Sequence, residues 1–395
     1  MSCGAEPGQR LLLCAWGANS YGQLGLGSRD DELSPKPLKD FPDREQDIRH
    51  ITGGGGHSAA ITGAGELYVC GQNKDGQLGL NHTDDVSCFT PCSAIRSLRV
   101  AKVACGWDFT IILTESGQVL SCGSNAFGQL GIPEAAMCSV PTPVQGLQEK
   151  GADIAAGLRH SLALTENGQT FQWGQGLASH AQRFARGKPV SSFLTAKEPC
   201  RLPGLEGVRG KRVIAGSYHS VLLTESGELY VWGSNKHGQL LQKETFVLQP
   251  QRVESHRFSR EKIHSAWSGW THMVVQTETG NVYSWGRSSY GQLGRKISVK
   301  DEDDQTQKDY MEPVASIPCL AGASQIACGS EHNLALCGNE LYSWGWNEHG
   351  MCGNGSETDV SVPTAIRLPV SLDIQLIGCG AGHSMTLGRT SGQIV

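Results

Sequence analysis

Residues 216–241, GSYHSVLLTESGELYVWGSNKHGQLL, contain both of the motifs on which the fold depends. Gly-x-x-His opens a run of apolar and β-branched residues, the turn Thr224–Gly227 follows, and a second apolar run ends in Trp-Gly-x-Asn-x-x-Gly-Gln-Leu. Two such runs on either side of a glycine turn are typical of a β-hairpin. The stretch therefore predicts strand, turn, strand and a glycine-rich loop.

The motif that ends this stretch, an aromatic residue or Cys followed by Gly-x-Asn-x-x-Gly-Gln-Leu-Gly, occurs seven times when the degenerate copy WGQGLASHAQ from Trp173 is included. Its first glycines are Gly17, Gly71, Gly123, Gly174, Gly233, Gly286 and Gly345. Their spacings are 54, 52, 51, 59, 53 and 59 residues. This period is too long for WD40 repeats, and the double glycine of kelch repeats does not recur.

The Gly-x-x-His motif alternates with the first one. Its histidines are His57, His160, His219, His272, His332 and His383. Since they occur once per unit, we interpret them as structural, each making a hydrogen bond inside its own blade, rather than as a metal site. We expect the seventh copy in GWDFT, where Asp108 takes the place of the histidine.

The two ends of the chain are complementary. The chain begins with a first motif that lacks its Gly-x-x-His strand, and it ends with such a strand, GAGHSMTLG, that lacks its partner. Joining the ends completes a seventh unit and removes the free edge strands that β proteins must avoid. The prediction is an all-β, seven-bladed propeller over residues 1–395, closed by pairing of the terminal strands; the alternative is an open repeat array.

Three segments fall outside the repeat. Residues 1–10 are expected to be flexible, residues 175–200 form an irregular loop, and residues 296–309 form a charged loop. Within the irregular loop, His180–Lys188 carries Arg183 and Arg186 and is expected to be a solvated basic segment.

Composition excludes several classes of function. The net charge is −5, and the chain has no basic stripe of the kind that binds nucleic acid. No apolar run is long enough to insert into a membrane, and no signal peptide is recognisable. The fourteen cysteines stand at repeat positions, Cys70 and Cys122 in place of Trp, which indicates free thiols and a reducing compartment, the cytosol or the nucleus. We expect a monomer.

The interleaved motifs resemble the repeats of the regulator of chromosome condensation superfamily over nearly the whole chain. Stretches such as VACGWDFTIILTE and SWGWNEHGMCG resemble a member of that superfamily tied to secretion. The resemblance implies a guanine nucleotide exchange factor for a small GTPase, linked to secretion, with no cofactor. The founding member inserts a β-wedge into its GTPase from one elongated loop, and no loop here matches that wedge. The rival is therefore a scaffold that docks secretory machinery, the exocyst for example, without exchange activity.

No motif for covalent catalysis is present, and GGGG at Gly53–Gly56 is interpreted as a turn. The candidate partner-binding residues lie just before the repeat histidines, where the loops are expected to enter the innermost strands on one rim. They are Trp107, Asp108, Arg159, Tyr218, Trp270 and Glu331. The alternative is that the two tryptophans pack against neighbouring blades. A light-sensing propeller would need a dense tryptophan cluster, and only Trp267 and Trp270 are close in sequence.

Overall fold

The hairpin in residues 216–241 consists of antiparallel strands His219–Thr224 and Leu229–Ser234, in which His219 lies opposite Gly233. Flanking strands on both sides complete a four-stranded sheet. The computed structural model describes residues 9–43, 46–297 and 314–391, and these segments form seven such sheets. The predicted seven-bladed β-propeller is confirmed.

Six blades take their strands from continuous stretches of chain, from the innermost strand outward. Blade 1 contains β3 (Ile48–Gly53), β4 (His57–Thr62), β5 (Leu67–Gly71) and β6 (Val86–Pro91). Blade 2 contains β7 (Val100–Cys105), β8 (Phe109–Thr114), β9 (Val119–Ser124) and β10 (Met137–Pro143). Blade 3 contains β11 (Gly151–Ala156), β12 (Ser161–Thr165), β13 (Thr170–Trp173) and β14 (Cys200–Arg201). Blade 4 contains β15 (Gly210–Ala215), β16 (His219–Thr224), β17 (Leu229–Ser234) and β18 (Phe246–Arg252).

Blade 5 contains β19 (Ile263–Ser268), β20 (His272–Thr277), β21 (Val282–Gly286) and β22 (Ala315–Ser316). Blade 6 contains β23 (Gln325–Cys328), β24 (His332–Cys337), β25 (Glu340–Gly345) and β26 (Val360–Ala365). Blade 7 contains β27 (Leu372–Cys379), β28 (His383–Thr390), β1 (Leu11–Gly17) and β2 (Glu32–Pro37). Helix α1 (Ala178–Phe184) follows β13, and single 3-10 turns occur at Ser93–Ile95, Ser192–Leu194, Ser255–Phe258 and Pro318–Leu320. None of the described helices is long and apolar enough to cross a membrane.

Blade 7 closes the ring. Strand β1 pairs with β28 along its whole length, with Leu13 opposite Leu387 and Gly17 opposite His383. The two outer strands of the blade therefore come from the start of the chain and the two inner strands from its end. The predicted closure by the terminal strands is confirmed.

The asparagine of the first motif folds its loop. In blade 7 the Asn19 side-chain amide donates to the carbonyls of Ser28 at 3.0 Å and Asp30 at 2.9 Å, while its oxygen accepts from the Leu24 amide at 3.1 Å. Comparable contacts are made by Asn73, Asn125, Asn235 and Asn347. Gly176 and Ser288 occupy this position in the other two copies, and those copies precede the two longest spacings. Without the asparagine contacts, the loop has room for inserted residues.

The aromatic residue of the first motif joins its blade to the preceding one. The Trp285 indole in blade 5 donates to the Gln239 carbonyl in blade 4 at 2.9 Å. In blade 2, the Cys122 thiol contacts the Gln77 carbonyl of blade 1 at 3.5 Å. Cysteine can replace tryptophan here because it also presents a donor to the glutamine carbonyl. The thirteen cysteines that the structure describes are all free.

The repeat histidines make their hydrogen bonds between blades, not inside a blade as expected from the sequence. His219 Nε2 lies 2.9 Å from Ser268 Oγ in the next blade, and that hydroxyl donates to the Gly269 carbonyl at 2.7 Å. Since the hydroxyl proton is used, Ser268 accepts and His219 carries its proton on Nε2. A Cβ on Gly216 would lie 1.9 Å from the His219 ring, which explains the glycine of Gly-x-x-His.

The same bridge joins five further pairs of blades. The pairs are His57 with Thr110, His160 with Ser220, His272 with Asn333, His332 with Ser384 and His383 with Ser58. All six rings are fully buried, and burial lowers the pKa of His57 to about 4 and that of His219 to about 3. The histidines are therefore neutral hydrogen-bond donors at physiological pH.

Two of the segments that interrupt the repeat lie mostly outside the described residues. The structure describes only residues 9–10 of the segment 1–10 and residues 296–297 of the charged loop 296–309. Residues 175–200 are described, and the prediction of an irregular loop there is wrong in part, because the segment contains α1 and a 3-10 turn.

Candidate protein-binding rim

All candidate residues lie at one end of the propeller, which we call the motif rim. It consists of the seven turns between the innermost and second strands together with the first-motif loops. The sequence interpretation placed the candidates where the chain enters the innermost strand; the structure places them where it leaves that strand. Trp107, for example, follows β7 and precedes β8.

A closed belt of backbone hydrogen bonds holds the seven turns around the channel mouth. Each turn donates an amide to a carbonyl of the next blade, and the last link returns from Ala381 to Gly54 at 2.9 Å. The other links run Gly55 to Gly106, Trp107 to Leu158, Leu158 to Ser217, Ser217 to Trp270, Trp270 to Ser330 and Ser330 to Ala381. Side chains on this belt are therefore carried by a rigid frame, as a preorganised binding surface requires.

Two tryptophans from separate blades meet over the channel mouth. The Trp107 ring of blade 2 and the Trp270 ring of blade 5 lie 5.7 Å apart in an edge-to-face arrangement. Trp107 is 41% exposed and also covers Gly55, where a Cβ would lie 2.7 Å from the indole. The alternative, packing against a neighbouring blade, applies to Trp107 on Gly55 of blade 1, whereas the contact with Trp270 joins blades 2 and 5, which are not adjacent.

The expectation that Asp108 takes the place of a repeat histidine is wrong, because Phe109 occupies that position. Phe109 lies opposite Gly123 in the register in which His57 lies opposite Gly71. The Phe109 ring is fully buried and packs where a Cβ on Gly106 would lie, as the histidine rings do in other blades. Asp108 instead corresponds to Arg159 and the other residues that precede the histidines.

Asp108 is nevertheless an unusual carboxylate. It is half-buried, Gln129 Nε2 donates to its Oδ1 at 3.3 Å, and the positive charge of Arg159 is nearby. Burial, followed by the negative charge of Asp75, raises its pKa. A cation brought by a partner would therefore stabilise the ionised form. The Arg159 guanidinium itself lies 4.4 Å from the Phe127 ring centre.

Glu331 is a buried structural residue of the rim. It is 6% exposed and accepts hydrogen bonds from Thr271 Oγ1 and Gln292 Nε2, each at 2.8 Å. Arg287 lies 3.8 Å from the same carboxylate. With its oxygens occupied inside the protein, Glu331 joins blades 5 and 6 and has little capacity left for a partner.

Tyr218 lies beneath an unexpected helix. Its ring contacts His180 of α1 at a centroid distance of 4.3 Å. The helix buries Leu177 and Ala181 against blade 4, and these positions, one helical turn apart, form its inner face. His180–Lys188 is therefore in part an ordered helix rather than only a solvated loop. The sequence signal for this helix was Gly176, which stands where five other copies of the first motif have the asparagine that folds the loop.

The fold and the rim define a class: closed seven-bladed propellers with a rigid ring of turns at one end of the channel. The chain belongs to the RCC1-like domain family, which it matches over residues 12–386. It is 55% identical over 385 residues to the secretion-regulating guanine nucleotide exchange factor of Bos taurus, covering 95% of this chain and 82% of that protein. The Mus musculus protein of that name is 53% identical over 398 residues, covering 98% and 86%. The resemblance inferred from the motifs is confirmed.

Two further similarities are informative. The ultraviolet-B receptor UVR8 of Arabidopsis thaliana is 32% identical over 361 residues, covering 90% of this chain and 76% of the receptor. The crystal structure of Prp20p from Saccharomyces cerevisiae, described with its binding to Gsp1p and histones, superposes with a TM-score of 0.81 at 25% identity, covering 98% of this chain and 93% of that one.

Proposed function

We propose that this protein is a guanine nucleotide exchange factor for a small GTPase in a secretory process, and that the motif rim is its GTPase-binding surface. The observation that carries the proposal is the Trp107–Trp270 pair, a partly exposed aromatic contact at the centre of a rigid belt. Large aromatic side chains at the centre of a surface are the usual anchors of protein interfaces. The names of the bovine and murine relatives support the exchange activity and its link to secretion.

The chemistry of exchange assigns a role to Asp108. A GTPase holds its nucleotide through Mg²⁺ and phosphate contacts in the P-loop and switches. An exchange factor must bind the nucleotide-free form more tightly than the loaded form, because only differential affinity shifts an equilibrium. Burial disfavours the ionised form of the Asp108 carboxylate, so a nearby cation stabilises that form. Asp108 therefore competes with the phosphates of the nucleotide for a cationic group of the GTPase. Glu331, the other acidic candidate on the rim, does not suit this role, because Thr271 and Gln292 already donate hydrogen bonds to its carboxylate.

The test is release of fluorescent GDP from a panel of purified small GTPases, with and without the protein. We expect accelerated release from one of them. Trp107→Ala should weaken binding by about 2 kcal/mol, or roughly thirtyfold. Asp108→Asn, which retains the shape of the side chain, should slow release more than it weakens binding. Lys262→Ala, an exposed residue beside the Gly227 turn at the other end of the blade, is the control and should change neither.

The second candidate is a scaffold that docks secretory machinery without exchange activity. It is favoured because no first-motif copy in the sequence matches the β-wedge of the founding family member. If the wild-type protein binds a GTPase through Trp107 and leaves the rate of release unchanged, the exchange proposal is wrong and the scaffold is the better description.

A further inference from the structure

A cleft of about 630 Å³ opens on the motif rim between α1 and blades 4 and 5. Its lining includes apolar and aromatic side chains from three blades, Leu158, Phe184, Tyr218 and Trp270. Binding clefts are commonly lined in this way, with a few polar groups that provide specificity. Its polar lining combines serine, threonine and glutamine side chains with three cationic ones.

Three cationic side chains and two histidines line the cleft. The cations are Arg183, Lys236 and Arg287, and the histidines are His180 and His237. The one acidic side chain of the lining, Glu331, is buried and already accepts hydrogen bonds from Thr271 and Gln292. Among the described residues, Arg183 and Lys236 are both exposed and neither has a carboxylate within 4.0 Å. In a protein of net charge −5, this is a local excess of unpaired positive charge.

The three cations come from three different parts of the cleft wall: Arg183 from α1, Lys236 from the first-motif loop after β17, and Arg287 from just after the end of β21. After burial, the charges of Arg183 and Lys236 lower the pKa of His180. After burial, the charges of Arg287 and Lys236 lower the pKa of His237. The lowered pKa values keep both histidines mainly neutral at pH 7, so Arg183, Lys236 and Arg287 carry the positive charge of the cleft. Cations spread over α1, blade 4 and blade 5 beside an aromatic surface match an extended ligand better than a compact anion.

Helix α1 creates this cleft. Leu177, Ala181 and Ala185 are buried at intervals of one helical turn, Arg183 and Phe184 are exposed, and His180 is half-buried against Tyr218. In five copies of the first motif the asparagine hydrogen-bonds to its own loop, and the copy in blade 3 has Gly176 in its place. The cleft is therefore a feature of the degenerate copy and not of the repeat.

We propose that this cleft binds an extended acidic segment of a partner protein, with an aromatic residue of that segment packed against Tyr218 and Trp270. Carboxylates of the segment would pair with Arg183, Lys236 and Arg287. The proposal concerns a peptide ligand of the propeller alone and does not depend on exchange activity.

The test is fluorescence polarisation with the fluorescein-labelled peptide EDEFDEE, compared with its uncharged counterpart QNQFNQQ. We expect the acidic peptide to bind and the uncharged one to bind at least tenfold more weakly. Arg183→Ala and Lys236→Ala should each weaken binding about fivefold, as expected for a partly exposed ion pair. Lys262→Ala removes the same charge far from the cleft and should leave binding unchanged. Raising the salt concentration should weaken binding of the acidic peptide.

Three results would overturn the proposal. Equal binding of both peptides would mean that charge is not recognised. Displacement of EDEFDEE by an equimolar amount of inorganic phosphate would indicate a site for a compact anion. Self-association of the protein that is lost in Arg183→Ala, measured by sedimentation velocity, would identify a second copy of the chain as the occupant. Because nucleotide release is not measured here, failure of the exchange proposal leaves the outcome unaffected.

Discussion

Acidification should unfold this propeller well before its carboxylates are protonated. The perturbation is a decrease in pH from 7 to 5, and the groups concerned are the buried inter-blade histidines. Burial lowers the pKa of His57 and His160 to about 4 and the pKa of His219, His332 and His383 to about 3. In the unfolded chain these histidines titrate near pH 6.5. Since the folded pKa is the lower one, their contribution to stability is present above about pH 6.5 and is lost as the pH falls toward the folded pKa.

The magnitude follows from the number of protons taken up on unfolding. Between about pH 6.5 and pH 4, each of these histidines is protonated in the unfolded chain and neutral in the folded one. For each of these histidines, the free energy of unfolding therefore falls by about 1.4 kcal/mol for every unit by which the pH is lowered. Five together cost on the order of 7 kcal/mol per unit, which is comparable with the entire stability of a typical domain.

The assay is urea unfolding followed by tryptophan fluorescence at a series of pH values from 7 to 5. The matched variants are His219→Gln and His256→Gln. Glutamine places an amide near the position of Nε2, so His219→Gln keeps a donor toward Ser268 but removes the titrating group. We expect its loss of unfolding free energy per pH unit to be smaller than that of the wild type by about 1.4 kcal/mol. His256 is exposed, with 62% side-chain accessibility, and its replacement should leave the slope unchanged.

A wild-type unfolding free energy that is flat between pH 6.5 and 5 would refute the reasoning. So would an equal slope in the wild type and in His219→Gln. Either result would mean that the folded structure does not lower the pKa of the histidines concerned.

Three further predictions concern the architecture. Truncation after Gly378 removes β28 and exposes the inner edge of β1, so we expect aggregation or a large loss of thermal stability, and an unchanged melting temperature would contradict the closure. Alkylation and mass spectrometry should find fourteen free thiols in the denatured, unreduced protein. Among the thirteen cysteines that the structure describes, the exposed Cys88 and Cys319 should react first in the native protein. Native disulfides would contradict the assignment to a reducing compartment. Phe109→Ala should lower the free energy of unfolding by about 3–5 kcal/mol, and Phe109→His should lower it by less. The reason is that the Ser161 hydroxyl in the next blade already donates to the Gln129 carbonyl, so it can accept a hydrogen bond from the new imidazole. The urea unfolding midpoints of the two variants test this.

The rim was only partly predictable from the sequence. The repeat spacing assigns the residues before each histidine to one end of the ring, and the structure places all six candidates there. The spacing also contained the correct register: Phe109 precedes Gly123 by 14 residues, as His57 precedes Gly71. The assignment of Asp108 to the histidine position was wrong because a polar residue was expected where the repeat places a buried aromatic ring. The role of Glu331 was not predictable, because its partners Thr271 and Gln292 come from another blade.

The sequence by itself determined the blade, the number of blades and the closure of the ring. These depend on hydrogen bonds within a hairpin or between adjacent units, and each copy of the motif encodes them again. Only the tertiary structure decided that Trp107 meets Trp270, that α1 covers Tyr218 and that Arg183, Lys236 and Arg287 line one cleft. Those contacts join residues from different blades, and whether they form depends on the width of the channel and the direction of each loop. Both are set by the packing of the whole ring, and no single repeat contains them.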